Sequence, residues 1–256
     1  MLALSYDLHI HSCLSPCGDN ESTPANIVGM AYIKGLDVIA LCDHNTAKNC
    51  PAAAEVARAY GVTLICGMEI TTDEEVHVVC LMPSLEAALE LDKYVNARLS
   101  PVENRPEIFG DQLIMDCDDN IVGRESKLLI NAAAISFEEV FPLAQSLGGV
   151  AFPAHVDKAA NSLISNLGFV PPNSTFKTAE VRYPQRLGEL TKAHPYFSSC
   201  KIITNSDAHY LQDINEAKNF LHAEEKTAAA VIDALKNPQG TGNQNAFDNN
   251  YKSQYK

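Results

Sequence analysis

The sequence predicts an α/β fold built on a parallel sheet or barrel, and three observations carry that expectation. Short apolar runs alternate along the chain with segments of helical character. The 256 residues suffice for a single large core, and α/β barrels of this length form one domain. Six of the eight histidines fall at the ends of the strand-like runs or just beyond them, where the loops of such a barrel converge on one face.

The elements follow in order. YDLHI, DVIALC, VTLICG and VHVVCLM read as short buried strands. PANIVGMAYIKG, PAAAEVARAYG and SLEAALELDKYVNARL read as helices, the first two opening on proline and closing on glycine. SPVENRPEIFG and the hairpin-like QLIMDCDDNIVGRE, with Asp118, Asp119 and Asn120 near its turn, form an excursion. Alternation then resumes, with SFEEVFPLAQSLG as helix, GVAFPAH and TAEVRY as strands, PQRLGELTKAH as helix and CKIITNSDAH as strand. A final helix lies within EKTAAAVIDALKN, and from Pro238 the chain is a polar tail.

Composition is that of an ordinary globular chain, 46% apolar and 20% charged. No run approaches the roughly 18 apolar residues of a membrane helix, and no signal peptide is visible. Several of the eight cysteines (Cys13, Cys17, Cys42, Cys50, Cys66, Cys80, Cys117 and Cys200) sit in apolar runs, as buried thiols do. A reducing cytoplasm is the expected setting. The net charge of −13 disfavours a long nucleic-acid duplex as partner. It leaves a small anionic substrate open, because bound divalent cations can invert the local field.

His9 and His11 lie two apart on a strand and so point the same way. Alone, such a pair reads equally well as two surface histidines. Asp43 and His44 follow the second strand, however, and Glu69 the third; His77 opens the fourth. His155 ends GVAFPAH, and Asp207 and His209 follow KIITNS, whereas His194 and His222 lie elsewhere and read as surface residues. Imidazole nitrogen with carboxylate oxygen suits zinc, iron or manganese rather than calcium.

The ordered set DLHIHS, LCDHNT, GMEIT with VHVV, FPAH and NSDAH resembles the polymerase and histidinol phosphatase (PHP) family, in its small phosphoesterase branch. The motifs span residues 7 to 209. The resemblance implies a distorted (β/α)7 TIM-like barrel over residues 1–237, an insertion at about 99–131 and a separate tail, 238–256. It also implies two or three divalent metals and hydrolysis of phosphate esters. Carried over, His9, His11, Glu69 and Asp207 resemble the ligands of one metal. Glu69 bridges to a second metal on His77 and His155, and a third sits on His44, His209 and one residue from the first loop. That loop, SCLSPCGDNESTP, is three residues longer than the family pattern. Counting back from Pro24 selects Asp19; counting forward from His11 lands on Pro16, which has no ligating side chain, with the Cys17 thiol nearby. Asp19 is the expected ligand.

In a hydrolytic mechanism Glu69, Asp43 and His209 are the expected catalytic residues, although Asp43 could instead orient a ligand or cap a turn. Arg182 and Lys158 are the candidates for phosphate binding, with a surface salt bridge as the plain alternative for Arg182. The expected function is a phosphomonoesterase acting on a small phosphorylated metabolite or nucleotide. Cleavage of short oligonucleotides, metal-dependent amide hydrolysis and a non-catalytic metal-binding module are the competing readings.

Overall fold

The computed structural model describes residues 1–237; the polar tail lies outside the described residues. The first half of the chain runs β1 (Leu2–Ile10), α1 (Pro24–Ile33), β2 (Val38–Leu41), α2 (Cys50–Tyr60), β3 (Thr63–Thr71), β4 (His77–Met82) and α3 (Leu85–Asn96). Then come α4 (Pro106–Phe109), β5 (Leu113–Met115), β6 (Ile121–Arg124), α5 (Phe137–Ser146), β7 (Val150–Pro153) and α6 (Leu163–Leu167). The chain continues through β8 (Thr178–Glu180), α7 (Leu187–Ala193), β9 (Lys201–Ile203), β10 (Phe220–Ala223) and α8 (Ala228–Lys236).

Local chemistry sets the helix ends. Thr23 caps α1 ahead of Pro24, and Ser84 and Thr227 cap α3 and α8 through their hydroxyls. Ser136 and Glu139 form a capping box on α5, and Gly61 ends α2 in the left-handed region at φ +69°. The helix expected over PQRLGELTKAH is shorter, because Pro184–Arg186 forms a tight 3-10 turn before α7.

β1, β2 and β3 pair in parallel, as the alternation of strands and helices predicts. β4 departs from that expectation. The five residues between Thr71 and His77 are too few for a parallel crossover, which needs a dozen or more. β4 therefore runs antiparallel to β3 and also to β7 on its other side. The sheet order is β10-β1-β2-β3-β4-β7, with β8 and β9 a separate parallel pair. Backbone bonds carry the curl round: Val156 N–H donates to Glu180 O at 2.9 Å and His11 N–H to Ala208 O at 2.9 Å. The result is a distorted TIM-like barrel. β10, unforeseen in the sequence, straps the first half of β1 antiparallel.

Two apolar layers hold it together. Leu8, Val38, Ile65, Leu81, Phe152 and Ile203 fill the interior, where Val231, Ile232 and Leu235 of α8 join them. Thr178 Oγ1 and Lys201 Nζ, at the starts of β8 and β9, donate to the Leu235 and Ala234 carbonyls, so α8 plugs the N-terminal end. Outside, Ile39, Leu41, Met68 and Ile70 pack with helix residues such as Ile27, Val56, Leu91 and Val140. The excursion contains the expected hairpin, β5–β6, and Asp116 accepts N–H bonds from Asp118 and Asn120 at its turn. Among the described residues, no helix is long and apolar enough to cross a membrane.

Candidate metal centre

The site begins at an irregularity in β1. Between Asp7 and Ile10 this strand advances three residues while β2 advances two, from Ile39 to Leu41. Leu4, Tyr6 and Leu8 belong to the interior core, but Ile10 belongs to the outer layer. The extra residue switches the phase, so the odd positions now turn inward. His9 and His11 are buried together at the mouth, their Nε2 atoms 3.1 Å apart.

Glu69, buried at the end of β3, stands at the centre. Its Oε1 lies 2.9 Å from His77 Nδ1, 3.2 Å from His155 Nε2 and 3.4 Å from His9 Nε2. Its Oε2 lies 3.0 Å from His44 Nδ1 and 3.4 Å from His11 Nε2. His77 reaches the carboxylate because the antiparallel β4 starts where β3 ends, with Thr71 opposite His77. Two positions earlier Gly67 must lack a side chain, since a Cβ there would run into the Cys80 carbonyl and lie 3.3 Å from Cys42 Sγ.

His155 and Asp207 adopt positive φ, +28° and +52°, a region that residues bearing a Cβ rarely enter. Such conformations cost on the order of 1–3 kcal/mol each and persist where surrounding bonds impose them. Here His155 N–H donates to Glu180 Oε1 at 3.2 Å and Ser206 N–H to Asp7 Oδ1 at 2.9 Å. Asp207 Oδ1 then lies 3.4 Å from His11 Nε2 and 3.6 Å from His9 Nε2, while Oδ2 accepts from Lys158 Nζ at 2.9 Å. His209 stacks on His11 with ring centroids 4.2 Å apart, and its Nδ1 donates to the Asp207 carbonyl at 2.9 Å.

Carboxylates and a hydroxyl set the tautomers. Glu180 Oε2 accepts from His9 Nδ1 at 3.0 Å and from Asn205 Nδ2 at 2.8 Å. Ser15 Oγ donates to Asp43 Oδ1 at 2.8 Å, so it accepts from His11 Nδ1 at 3.0 Å. Once both rings are neutral, their Nε2 atoms present lone pairs to each other, an arrangement that suits a shared cation. Three sets of donor atoms meet this need, each within 4.8 Å of one another: His9, His11, Glu69 and Asp207; His44, Glu69 and His77; His11, His44 and His209. Ligands bound at about 2.0–2.2 Å to one ion stand about 3–3.5 Å apart, which matches the spacings around Glu69. The buried Nδ1 atoms of His44 and His155 have no aligned hydrogen-bond partner. The residues present fit divalent ions of the zinc, iron and manganese kind.

Electrostatics agree with that donor set. Burial alone would raise the Glu69 carboxyl, but the His77, His9 and His44 rings outweigh it and hold it well below the usual range. Burial would lower His9, yet Glu180, Glu69 and Asp207 hold it well above its ordinary value. His11 is lowered by burial and by the neighbouring His209 and His44. Against its burial, Glu69 and Cys17 push His44 up to about 10.

Of the residues singled out in the sequence, His9, His11, His44, Glu69, His77, His155, Asp207 and His209 converge on this mouth. Asp19 does not. Its Oδ1 accepts the Glu21 N–H at 2.7 Å, and it joins none of the donor sets. Asp43 is buried away from the opening, where its carboxylate binds Ser12 N–H, Ser12 Oγ and Ser15 Oγ. Arg182 bonds the Ser206 carbonyl through Nη1, with no salt bridge to Glu180, and Lys158 caps the outer oxygen of Asp207. The sequence reading passed over Glu180 and Ser15 as members of the site. Glu180 ends β8 in the structure, but it lies in the middle of the expected strand TAEVRY, so the strand-end rule did not select it.

The chain spans part of its curated relatives: it is 36% identical to a 5'-3' exoribonuclease from Haemophilus influenzae over 116 residues, 42% of this chain and 39% of that protein. Among solved structures it is similar to the lesion-specific endonuclease Q from Pyrococcus furiosus, with a TM-score of 0.66 at 20% identity. That match covers 94% of this chain and 57% of the endonuclease. A Bifidobacterium adolescentis protein assigned to the metal-dependent phosphoesterases matches with a TM-score of 0.56 at 20% identity, over 91% of this chain and 96% of that one. The PHP domain family itself matches residues 7–163, more than half of the chain. With the donor sets in place at the barrel mouth, this chain belongs to the PHP domain family.

Proposed function

We propose that the chain hydrolyses the phosphate ester of a small phosphorylated metabolite or nucleotide at this mouth, using two or three divalent ions. The observation that carries the reading is Glu69, whose two oxygens face separate imidazole groups, one of His9, His77 and His155 and the other of His11 and His44. A carboxylate reached by imidazoles on both oxygens would be shared between neighbouring ions. Divalent ions bound there supply Lewis acidity toward a phosphoryl oxygen and a nucleophilic water at neutral pH.

The chain's own residues complete the chemistry. His9, His11, Glu69 and Asp207 would hold one position, His77 and His155 would share Glu69 in a second, and His44 and His209 would serve a third. His209, partly exposed at the rim, would hold the third position with its Nδ1 proton kept on the Asp207 carbonyl, so the proton for the departing alkoxide would come from solvent at the rim. Asp43 acts as a positioning residue, holding His11 through Ser15. Lys158 is the cation set to meet a phosphoryl oxygen when substrate competes for it with Asp207. Arg182 supports the Asp207 turn through the Ser206 carbonyl.

A cleft of about 290 Å³ opens beside Lys158, lined by Asp157, Ile164, Arg186, Leu190 and His194, and would take the organic part of the substrate. The nuclease names of two relatives favour a short oligonucleotide as the second reading. A screen of phosphomonoesters and dinucleotides with added manganese, zinc or iron tests both. Release of phosphate from monoesters supports the first reading; cleavage of dinucleotides alone would replace it with the second.

A further inference from the structure

We propose that Asp157 is a positioning residue that sets the width of the cleft beside Lys158, and with it the organic group that the site accepts. This inference rests on the monoester reading above and deepens it, by naming what holds the cleft to its shape.

The cleft has two walls, and they come from different loops. The near wall follows β7 and carries Lys158, Ile164 and Ser165; the far wall follows β8 and carries Arg186, Leu190 and His194. Asp157 belongs to the near wall, yet both oxygens of its carboxylate are spent on the far one. Oδ1 accepts the Arg182 N–H and Oδ2 the Tyr183 N–H, each at 2.7 Å. Tyr183 is the last residue before the tight turn Pro184–Arg186, which runs directly into α7. A carboxylate held by two successive backbone N–H groups makes short, charge-assisted bonds that fix both the place and the direction of the turn.

The near wall stands without this contact. Lys158 N–H bonds the His155 carbonyl at 2.9 Å, and the Lys158 carbonyl accepts from Ser162 Oγ at 2.8 Å. The Asp207 turn has its own anchor, since Ser206 N–H donates to Asp7 Oδ1 at 2.9 Å. Loss of the Asp157 carboxylate therefore loosens the far wall and leaves Lys158 and the metal donors in place. The organic part of an ester, which lies between the walls, feels that change. A bare phosphate ion, which reaches only the mouth, does not.

The test uses manganese-loaded full-length protein with 4-nitrophenyl phosphate as substrate and inorganic phosphate as competitive inhibitor. Asp157→Ala should raise KM for the ester about three- to tenfold, the scale of one or two lost hydrogen bonds. Its kcat, metal content and inhibition constant for phosphate should stay at wild-type values, the pattern of lost uniform binding. Asp157→Asn keeps one acceptor oxygen and should recover part of the loss. An unchanged KM in Asp157→Ala would overturn the inference. So would a parallel rise in the phosphate inhibition constant, or a loss of metal, since either makes Asp157 a support of the whole mouth. If wild type takes up manganese but leaves the ester intact, the monoester reading fails and this inference with it.

Discussion

Glu180 accepts the Nδ1 proton of His9 at 3.0 Å, and this one contact decides which nitrogen of His9 faces the mouth. With Nδ1 committed to Glu180, Nε2 is the nitrogen left for the mouth, 3.1 Å from His11 Nε2. A carboxylate behind a ligating imidazole fixes its tautomer and raises its basicity, and losing such a partner weakens metal affinity by about 10–100-fold. Glu180→Gln should therefore weaken binding by that factor in a chelator-competition titration. Unchanged affinity would remove Glu180 from the site.

Glu69 faces five imidazoles and cannot hydrogen-bond them all. Glu69→Gln keeps the shape and removes the bridging charge. We expect at least one metal equivalent to be lost and kcat to fall on the order of 10³-fold or more, beyond the 10–100-fold expected of an orienting residue. Elemental analysis with steady-state kinetics checks this, and a fully active variant would sink the assignment.

Metal uptake should release protons. His9 is held well above its ordinary value and His44 is pushed up to about 10, so both carry a proton at pH 7 in the metal-free site. His11, held below its ordinary value, is already neutral there. Ligation requires neutral imidazole, so binding should displace protons and affinity should rise with pH. Calorimetry in buffers of different ionisation enthalpy measures the number. Release of no protons at pH 7 would contradict this charge state.

Lys158 donates to Asp207 Oδ2 at 2.9 Å while its side chain is 39% exposed. Lys158→Ala should lower kcat/KM for a phosphate ester by about tenfold, or ~1.4 kcal/mol, with most of the change in KM. A change confined to kcat would make Lys158 a positioning residue for Asp207 instead.

Gly67→Ala places a methyl group against the Cys80 carbonyl and Cys42 Sγ inside the barrel. Overpacking of this kind costs about 1–3 kcal/mol. A lowered urea midpoint with unchanged slope should report it, and a midpoint equal to wild type would show that the barrel yields at Gly67.

Much of the site could be read without coordinates, because its chemistry is carried by residue types at the ends of apolar runs. Eight of the nine proposed metal ligands converge as that pattern implied. Asp19 does not, because its carboxylate accepts the Glu21 N–H within its own turn, a choice no sequence pattern settles. Glu180 was visible as a carboxylate within TAEVRY, but nothing local says that it faces His9 across the barrel.

By itself the sequence determined the alternating strands and helices, the capped helix ends, the excursion hairpin and the donor inventory, all consequences of local chemistry and periodicity. Tertiary structure decided the rest. It turned β4 antiparallel, which brings His77 beside Glu69, and added β10 to the edge of β1. It inserted the β1 bulge that swings His9 and His11 into the barrel. It also turned the Asp19 carboxylate onto the Glu21 N–H, away from the donor sets. Each of these depends on which distant backbone a segment meets, and strand pairing across a closed barrel settles that only when the whole chain has assembled.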